Sequence, residues 1–262
     1  MLSYQHIYHA GNLADVQKHA FLAWMLKYLT RKDKPLSYIE THSGRGLYHL
    51  DAAEAVKTGE AKAGISRLLA EGMLDEGHPL LEALEQVRAK HGETAYPGSP
   101  VLAAELLRPG DSLHLAELHP REHAALAAAM RPYGAKVYRE DGYALAQSLT
   151  PPVPRRGLML IDPSYETSDD YSAMSARITK LHRKWNVGVI ALWYPILTTD
   201  AHLPMLEKLE AQALPGGFRH EVRFSPVRAG HRMIGSGLFV INAPYGIAEE
   251  GKKLDQLYQA LG

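Results

Sequence analysis

Short apolar runs of strand length, each followed by a stretch of helical character, constrain this chain more than any other feature. They recur from residue 112 onward, with strands at 112–118, 135–140, 157–162 and 187–194 and helices at 120–130, 142–148, 170–184 and 201–212. Two further strand-like runs, 220–224 and 237–242, follow. Upstream, Phe21, Leu22, Met25, Leu26 and Leu29 share one face of a helix over 14–29, which Pro35 stops, and residues 36–39 suit a buried strand. Alternation of this kind predicts an α/β fold with a doubly wound, mostly parallel sheet.

The alternation is interrupted once. Residues 51–95 are rich in Ala, Glu, Lys and Leu, with helical stretches at 62–73 and 79–91 and no strand signal. We expect a small helical subdomain there, inserted into a single domain spanning 1–262. Tyr96-Pro97-Gly98-Ser99-Pro100 reads as a turn, with Pro100 in the first turn of the next helix. Internal repeats and low-complexity segments are absent from the sequence.

Composition narrows the function classes. Hydrophobic residues make up 46% and charged residues 22%, which is the composition of a folded globular chain. The absence of cysteine excludes disulfides and thiolate metal sites. Fourteen histidines are present, but none in an H-E-x-x-H pattern, and no metal is expected. No window is apolar over the length of a membrane span, and MLSYQHIYHAGN has no signal-peptide core, so a cytoplasmic protein is expected. The 29 basic and 29 acidic residues balance, so any nucleic-acid contact must come from a local basic face.

The stretch LMLIDPSYE (158–166) carries the chemistry. An apolar strand ends at Asp162, and ligands of open α/β sheets bind beyond the carboxyl ends of the strands. The amine of an aromatic base is a poor nucleophile because its lone pair is delocalised into the ring. Acceptors on its two N–H groups draw the nitrogen toward tetrahedral geometry and free that pair. Asp162 can supply one acceptor and the Pro163 carbonyl another, in a backbone partly fixed by the proline ring. Tyr165 can stack on the base, and positioning then supplies much of the rate. Asp-Pro after a strand is equally a common turn, so this motif alone leaves both readings open.

The wider pattern resembles a known family. HAGNLADVQKH (9–19), ETHSGRGLYHL (40–50), YPGSP (96–100), LAELHP (115–120), EDG (140–142), IDPSYE (161–166) and ALWYP (191–195) are similar to segments of the RlmJ family, the 23S ribosomal RNA adenine-N(6)-methyltransferases. The similarity runs through most of the chain. DPSY resembles the family's D-P-P-Y signature, with Ser164 where a second proline is usual. The resemblance implies a Rossmann-like methyltransferase fold, S-adenosylmethionine as cofactor and an adenine of 23S ribosomal RNA as target. It implies a monomeric enzyme acting on protein-free RNA or an early assembly intermediate. It places Lys18, His19 and His42 at the cofactor and Tyr4 beside the substrate.

Other candidates follow from position. Thr41-His42-Ser43-Gly44-Arg45-Gly46 follows the first strand and lets backbone approach a ligand, but His49 stands where a G-x-G-x-x-G fingerprint needs its last glycine. That argues against a nicotinamide cofactor. Glu117 ends the next strand, where an acid commonly accepts from ribose hydroxyls. Asp141 can accept from the cofactor's adenine amine, with Gly142 allowing close approach, although Asp-Gly is also a turn pair. Ser99 can cap the following helix, contact the methionine part of the cofactor, or do both. Asp162 belongs to both cofactor and catalytic sets.

Arg31, Lys32 and Lys34, then Arg155 and Arg156, then Arg228 and Arg232 are candidate RNA contacts, as is the helical insertion. A target adenine within a duplex must be flipped out or unpaired to react. Two alternatives are a DNA adenine methyltransferase and a nucleic-acid-binding module with an inactive methyltransferase fold. Intact Asp162 and Tyr165 and the neutral charge disfavour the second; methyl transfer to RNA or DNA separates the first.

Overall fold

The computed structural model describes residues 5–166, 169–225, 230 and 232–261. After a 3-10 turn at His6–Tyr8 come α1 (Leu13–Thr30), β1 (Ser37–Glu40), β2 (Leu47–His49), α2 (Ala53–Thr58), α3 (Arg67–Ala70), α4 (Pro79–His91), β3 (Ala95–Pro97), α5 (Ser99–Leu106), β4 (Ser112–Ala116) and α6 (Pro120–Met130). The chain continues through β5 (Lys136–Tyr138), α7 (Gly142–Leu149), β6 (Gly157–Ile161), α8 (Asp169–Ser172), α9 (Met174–Lys184), β7 (Val189–Leu197), α10 (Leu203–Glu210), β8 (Phe218–Arg223), β9 (Met233–Ile241) and α11 (Ile247–Leu261).

Seven strands form one sheet in the order β5-β4-β1-β6-β7-β9-β8. Neighbours from β5 to β7 pair parallel, and β9 runs antiparallel to both β7 and β8. Every residue of β6 is buried. Leu158 and Leu160 enter the core on one face, while Met159 and Ile161 enter the core on the other. Burial on both faces explains why these strands read as unbroken apolar runs rather than alternating ones. The expected doubly wound, mostly parallel α/β architecture is the one found. The chain moves outward from β1 to β4 and β5, then returns to the other side at β6, so the switch point lies between β1 and β6.

Helix α1 is buried around most of its circumference, including Asp15, Gln17, Lys18 and His19. Asn12 caps it by accepting from the Asp15 N–H at 2.8 Å. Its other end is held by Arg108, which donates to the Thr30 carbonyl at 3.0 Å, and by Arg156, which donates to the Leu29 carbonyl. Arg31, Lys32, Lys34, Arg155 and Arg156 therefore lie in the loops entering β1 and β6 at their amino ends. Arg232 precedes β9, and its carbonyl accepts from Thr198 N just beyond the carboxyl end of β7. Arg228 lies outside the described residues.

The segment between β1 and α5 is mainly helical, but it differs from expectation in three ways. β2 and β3 form a short antiparallel pair, so Ala95, at the edge of the expected strand-free segment, is in a strand. The helix expected over 62–73 is an irregular turn at 62–66 followed by α3, kinked at Gly64. A Cβ at Gly64 would stand 2.2 Å from the Gly11 carbonyl oxygen, so this glycine permits the insertion to seat against the start of α1. α2 was not anticipated. Ile65, Leu68, Leu80, Ala83, Leu84 and Val87 join the same core as α1 and the sheet.

Two further differences lie near the C-terminus. The last strand was expected only from residue 237, yet β9 begins at Met233 and takes in Gly235 as well as Gly237, where a Cβ on Gly237 would meet the Tyr194 ring at 2.1 Å. α11 was missed, although Ile247, Leu254, Leu257 and Tyr258 have helical spacing and are buried. Among the described residues no helix is long and apolar enough to cross a membrane.

Candidate active site

A cavity of about 550 Å³ opens at the carboxyl ends of the parallel strands. Every described residue expected at the cofactor or catalytic site lines it: Lys18, His19, His42, Ser99, Glu117, Asp141, Gly142, Asp162, Pro163 and Tyr165; the described basic residues put forward for RNA contact do not. Tyr4 lies outside the described residues. These side chains come from α1, the loop after β1, the start of α5, the end of β4, the start of α7 and the loop after β6. The tertiary fold, rather than any local motif, assembles them.

Lys18 is the hub. Its Nζ lies 2.7 Å from Asp162 Oδ2 and 3.0 Å from Asp15 Oδ1. Burial alone would lower the Lys18 pKa, but the two carboxylates overcome it and raise the value, so the ammonium is retained. Burial likewise acts to raise the Asp15 pKa, yet its neighbours His6 and the Lys18 ammonium hold it well below the usual carboxylate range. Asp15 also accepts from the Gly11 N–H at 2.9 Å, tying the chain before α1 to the cavity wall. Asp15 was not among the site residues expected from the sequence.

His19 is one turn along α1. Its Nδ1 contacts the Tyr96 hydroxyl at 2.8 Å, while Nε2 is buried with no hydrogen-bond partner. Burial lowers its pKa to about 3 against the pull of Asp15, so the ring is neutral. Ser43 Oγ, on the loop after β1, is a second buried polar atom without a partner. Burial also lowers the pKa of His42, whose ring meets Tyr143 edge-on at 5.0 Å.

Glu117 accepts from Gly44 N at 2.9 Å and His119 N at 2.7 Å. Burial raises its pKa despite those two donors. Asp141 accepts from Ala144 N at 2.8 Å and so caps α7. Gly142 has a structural reason to lack a side chain: a Cβ there would lie 1.8 Å from the Thr41 carbonyl oxygen. The close approach it permits is between α7 and the end of β1, where the sequence suggested close approach to a ligand.

Ser99 begins α5 but makes no cap, because the N-cap residue is Gly98 and has no side chain to offer. Its hydroxyl donates instead to Glu40 Oε1 at 2.5 Å. Glu40 is fully buried at the end of β1, also accepts from the Tyr38 hydroxyl at 2.8 Å, and is pushed up to about 8 by burial. Glu40 was not singled out from the sequence, although its place immediately before Thr41 was a signal.

Tyr165 has φ of 55°, an uncommon left-handed conformation for a non-glycine residue. Its hydroxyl donates to the Trp193 carbonyl at 2.7 Å, and its ring lies 4.5 Å from that of Tyr171. Trp193, Pro195, Leu197 and Met233 extend the cavity wall along β7 and β9. Among the described residues no cluster of His, Asp or Glu could hold a metal ion.

The strand order, the switch-point cavity and the acid-aromatic loop after β6 define a Rossmann-like methyltransferase fold. A family model described as "Ribosomal RNA large subunit methyltransferase D, RlmJ" matches residues 33–262. Ribosomal RNA large subunit methyltransferase J of Escherichia coli strain K12 is 38% identical over 256 residues, covering 95% of this chain and 90% of that protein. The Haemophilus influenzae protein of the same name is 36% identical over 257 residues, covering 97% and 92%. A crystal structure of a Legionella pneumophila strain Philadelphia 1 protein superposes with a TM-score of 0.84 at 36% identity, covering 95% of this chain and 92% of that one. The chain belongs to the RlmJ family.

Proposed function

We propose that this protein is an S-adenosylmethionine-dependent methyltransferase that modifies the exocyclic amine of an adenine in 23S ribosomal RNA. The observation that carries the proposal is Asp162, fixed by Lys18 at the end of β6 beside the pinned ring of Tyr165. The names and coverage of the relatives support ribosomal RNA as the substrate class. We take the chain 1–262 as one methyltransferase domain with the 51–95 insertion as a helical subdomain beside the site. We take the enzyme to be a cytoplasmic monomer acting on protein-free RNA or an early assembly intermediate.

The residues fit the cofactor. The volume suits a nucleoside-sized ligand. The buried, unpartnered His19 Nε2 and Ser43 Oγ offer hydrogen-bonding capacity that the protein leaves unused. His19, His42, Ser99, Glu117, Asp141, Gly142 and Asp162 would hold it, with Lys18 setting the charge of the wall. Each oxygen of the Glu117 carboxylate keeps a second lone pair for a ribose hydroxyl. When bound, S-adenosylmethionine supplies an electrophilic methyl group on a sulfonium.

Asp162 commits Oδ2 to Lys18, and Oδ1 remains to accept from the target amine. The Pro163 carbonyl supplies the second acceptor, and Tyr165 stacks on the base. Ser164 replaces the usual second proline of the motif and leaves both acceptors in place. Asp162 orients the amine and takes up the proton released as the new N–C bond forms. No strong base is required, because that nitrogen becomes acidic only as the bond forms.

The test offers labelled cofactor with protein-free 23S RNA, assembled large subunits and DNA, followed by nucleoside analysis. N6-methyladenosine in the protein-free RNA is expected. Label confined to DNA, or none with folded protein, overturns the proposal.

A further inference from the structure

Arg177 has no role in the site as drawn so far. It lies in the first turn of α9 and lines the cavity. Its guanidinium carbon stands 3.9 Å from the centroid of the Tyr143 ring. The Tyr143 ring is itself held in place, by its hydroxyl donating to Asp170 Oδ1 at 3.3 Å and by the His42 edge. Arg177 is thus seated on a fixed platform. Its Nη1 is nevertheless buried and has no hydrogen-bond acceptor. A buried cationic donor without an acceptor is costly, and one on a cavity wall is a place for a ligand acceptor.

The chemistry of that acceptor follows from its neighbours. On the cofactor reading above, the wall between Glu117 and Asp141 takes the adenosine part, with the exocyclic amine at Asp141. The ring nitrogens flanking that amine, N1 and N7, only accept hydrogen bonds. A carboxylate cannot serve them, whereas arginine is purely a donor. Tyr143 follows Asp141 and Gly142 directly, so the residue that carries Arg177 is contiguous with the residues assigned to the amine.

We infer that Arg177 is a further cofactor-binding residue, whose Nη1 donates to a ring nitrogen beside the adenine amine while Tyr143 holds the guanidinium in position. With Asp141 it reads adenine as a donor next to an acceptor. Hypoxanthine puts a carbonyl where adenine has the amine, which the Asp141 carboxylate cannot meet, and is rejected whichever ring nitrogen Arg177 serves. This inference rests on the proposed cofactor.

The test is calorimetric titration with S-adenosylhomocysteine, which needs no turnover. Arg177→Met is expected to weaken binding about tenfold, the scale of one hydrogen bond to a charged group. Arg177→Lys falls between, because it keeps the charge but loses the fork. The 1-deaza or the 7-deaza analogue binds the unaltered protein more weakly by a similar factor, and Arg177→Met no longer distinguishes it from the parent. Unchanged affinity in Arg177→Met, with Glu117→Ala impaired, overturns the inference and leaves the cofactor reading standing. Equal loss across parent and both analogues, with a lowered Tm, assigns Arg177 a structural role and also overturns it. If the unaltered protein binds no S-adenosylhomocysteine, the cofactor reading fails and this inference falls with it.

Discussion

The Lys18 ammonium and the Asp162 carboxylate meet at 2.7 Å, joining α1 to the carboxyl end of β6 across the switch point. Both side chains are largely buried, and Asp15 shares the same ammonium. Replacing Lys18 by Met leaves two carboxylates facing each other without a counter-charge. Breaking a buried pair from one side costs about 3–5 kcal/mol. Lys18→Met is expected to lose stability on that scale in denaturant titration and to lose turnover as Asp162 swings free. Wild-type stability in this variant would show that the pair does not position Asp162.

Glu117 has two tasks that one substitution separates. Glu117→Ala removes a ribose acceptor and also releases Gly44 N and His119 N. Cofactor binding should weaken by roughly 1–3 kcal/mol, the cost of leaving buried partners unsatisfied. Glu117→Gln keeps an acceptor oxygen and should lie between. Calorimetry that finds equal affinity in all three proteins removes Glu117 from the site.

Gly142→Ala tests structure against ligand contact at one position. The new methyl would collide with the Thr41 carbonyl oxygen, which is backbone and cannot turn aside. Overpacking of this kind costs about 1–3 kcal/mol, occasionally more. A marked fall in Tm without ligand is expected. An unchanged Tm with weaker cofactor binding would move the constraint from the fold to the ligand.

Glu40 and His19 give stability opposite dependences on pH. Glu40 rises from 4.5 to about 8 on folding, mainly through burial, so the native state binds the proton more tightly. Its contribution is complete below pH 4.5 and is lost as pH rises toward 8. His19 falls from 6.5 to about 3, so its contribution is present above pH 6.5 and is lost as pH falls toward 3. Glu40→Gln removes the first dependence alone. Thermal melts between the two Glu40 limits should show Glu40→Gln gaining on the unaltered protein as pH rises; a constant difference contradicts the assignment.

Much of this was legible in the sequence where a signal is local. The strands of the parallel sheet are apolar runs because both faces are covered, and Asp162 and Glu117 end or follow such runs. α11 carried a readable helical spacing that was overlooked. The pair β2 and β3 has only three residues per strand, too few to show a period. The packing constraints on Gly64 and Gly142 were not legible because the atoms they avoid, the carbonyls of Gly11 and Thr41, come from distant sequence. The contacts of Ser99 with Glu40 and of Arg177 with Tyr143 cross between elements, so only the fold reveals them.

Asp162 and Tyr165 should fail in different ways. Asp162→Ala removes the acceptor for the target amine and leaves Lys18 with Asp15 alone. Asp162→Asn keeps the shape and one acceptor oxygen but loses the charge that pairs with Lys18. Ala should therefore be worse than Asn, with turnover falling at least about a hundredfold, the low end of a positioned acid-base contribution. Tyr165→Ala loses base stacking of about 1–3 kcal/mol, seen as weaker productive RNA binding. Tyr165→Phe keeps the ring and loses only the hydrogen bond to the Trp193 carbonyl, so it should cost about 0.5–1.5 kcal/mol. Single-turnover rates at saturating cofactor and varied RNA separate the two residues: Asp162 variants lower the limiting rate, and Tyr165 variants shift the RNA concentration needed to reach it. Near-normal turnover by a folded Asp162→Ala protein would end the mechanism proposed for this site.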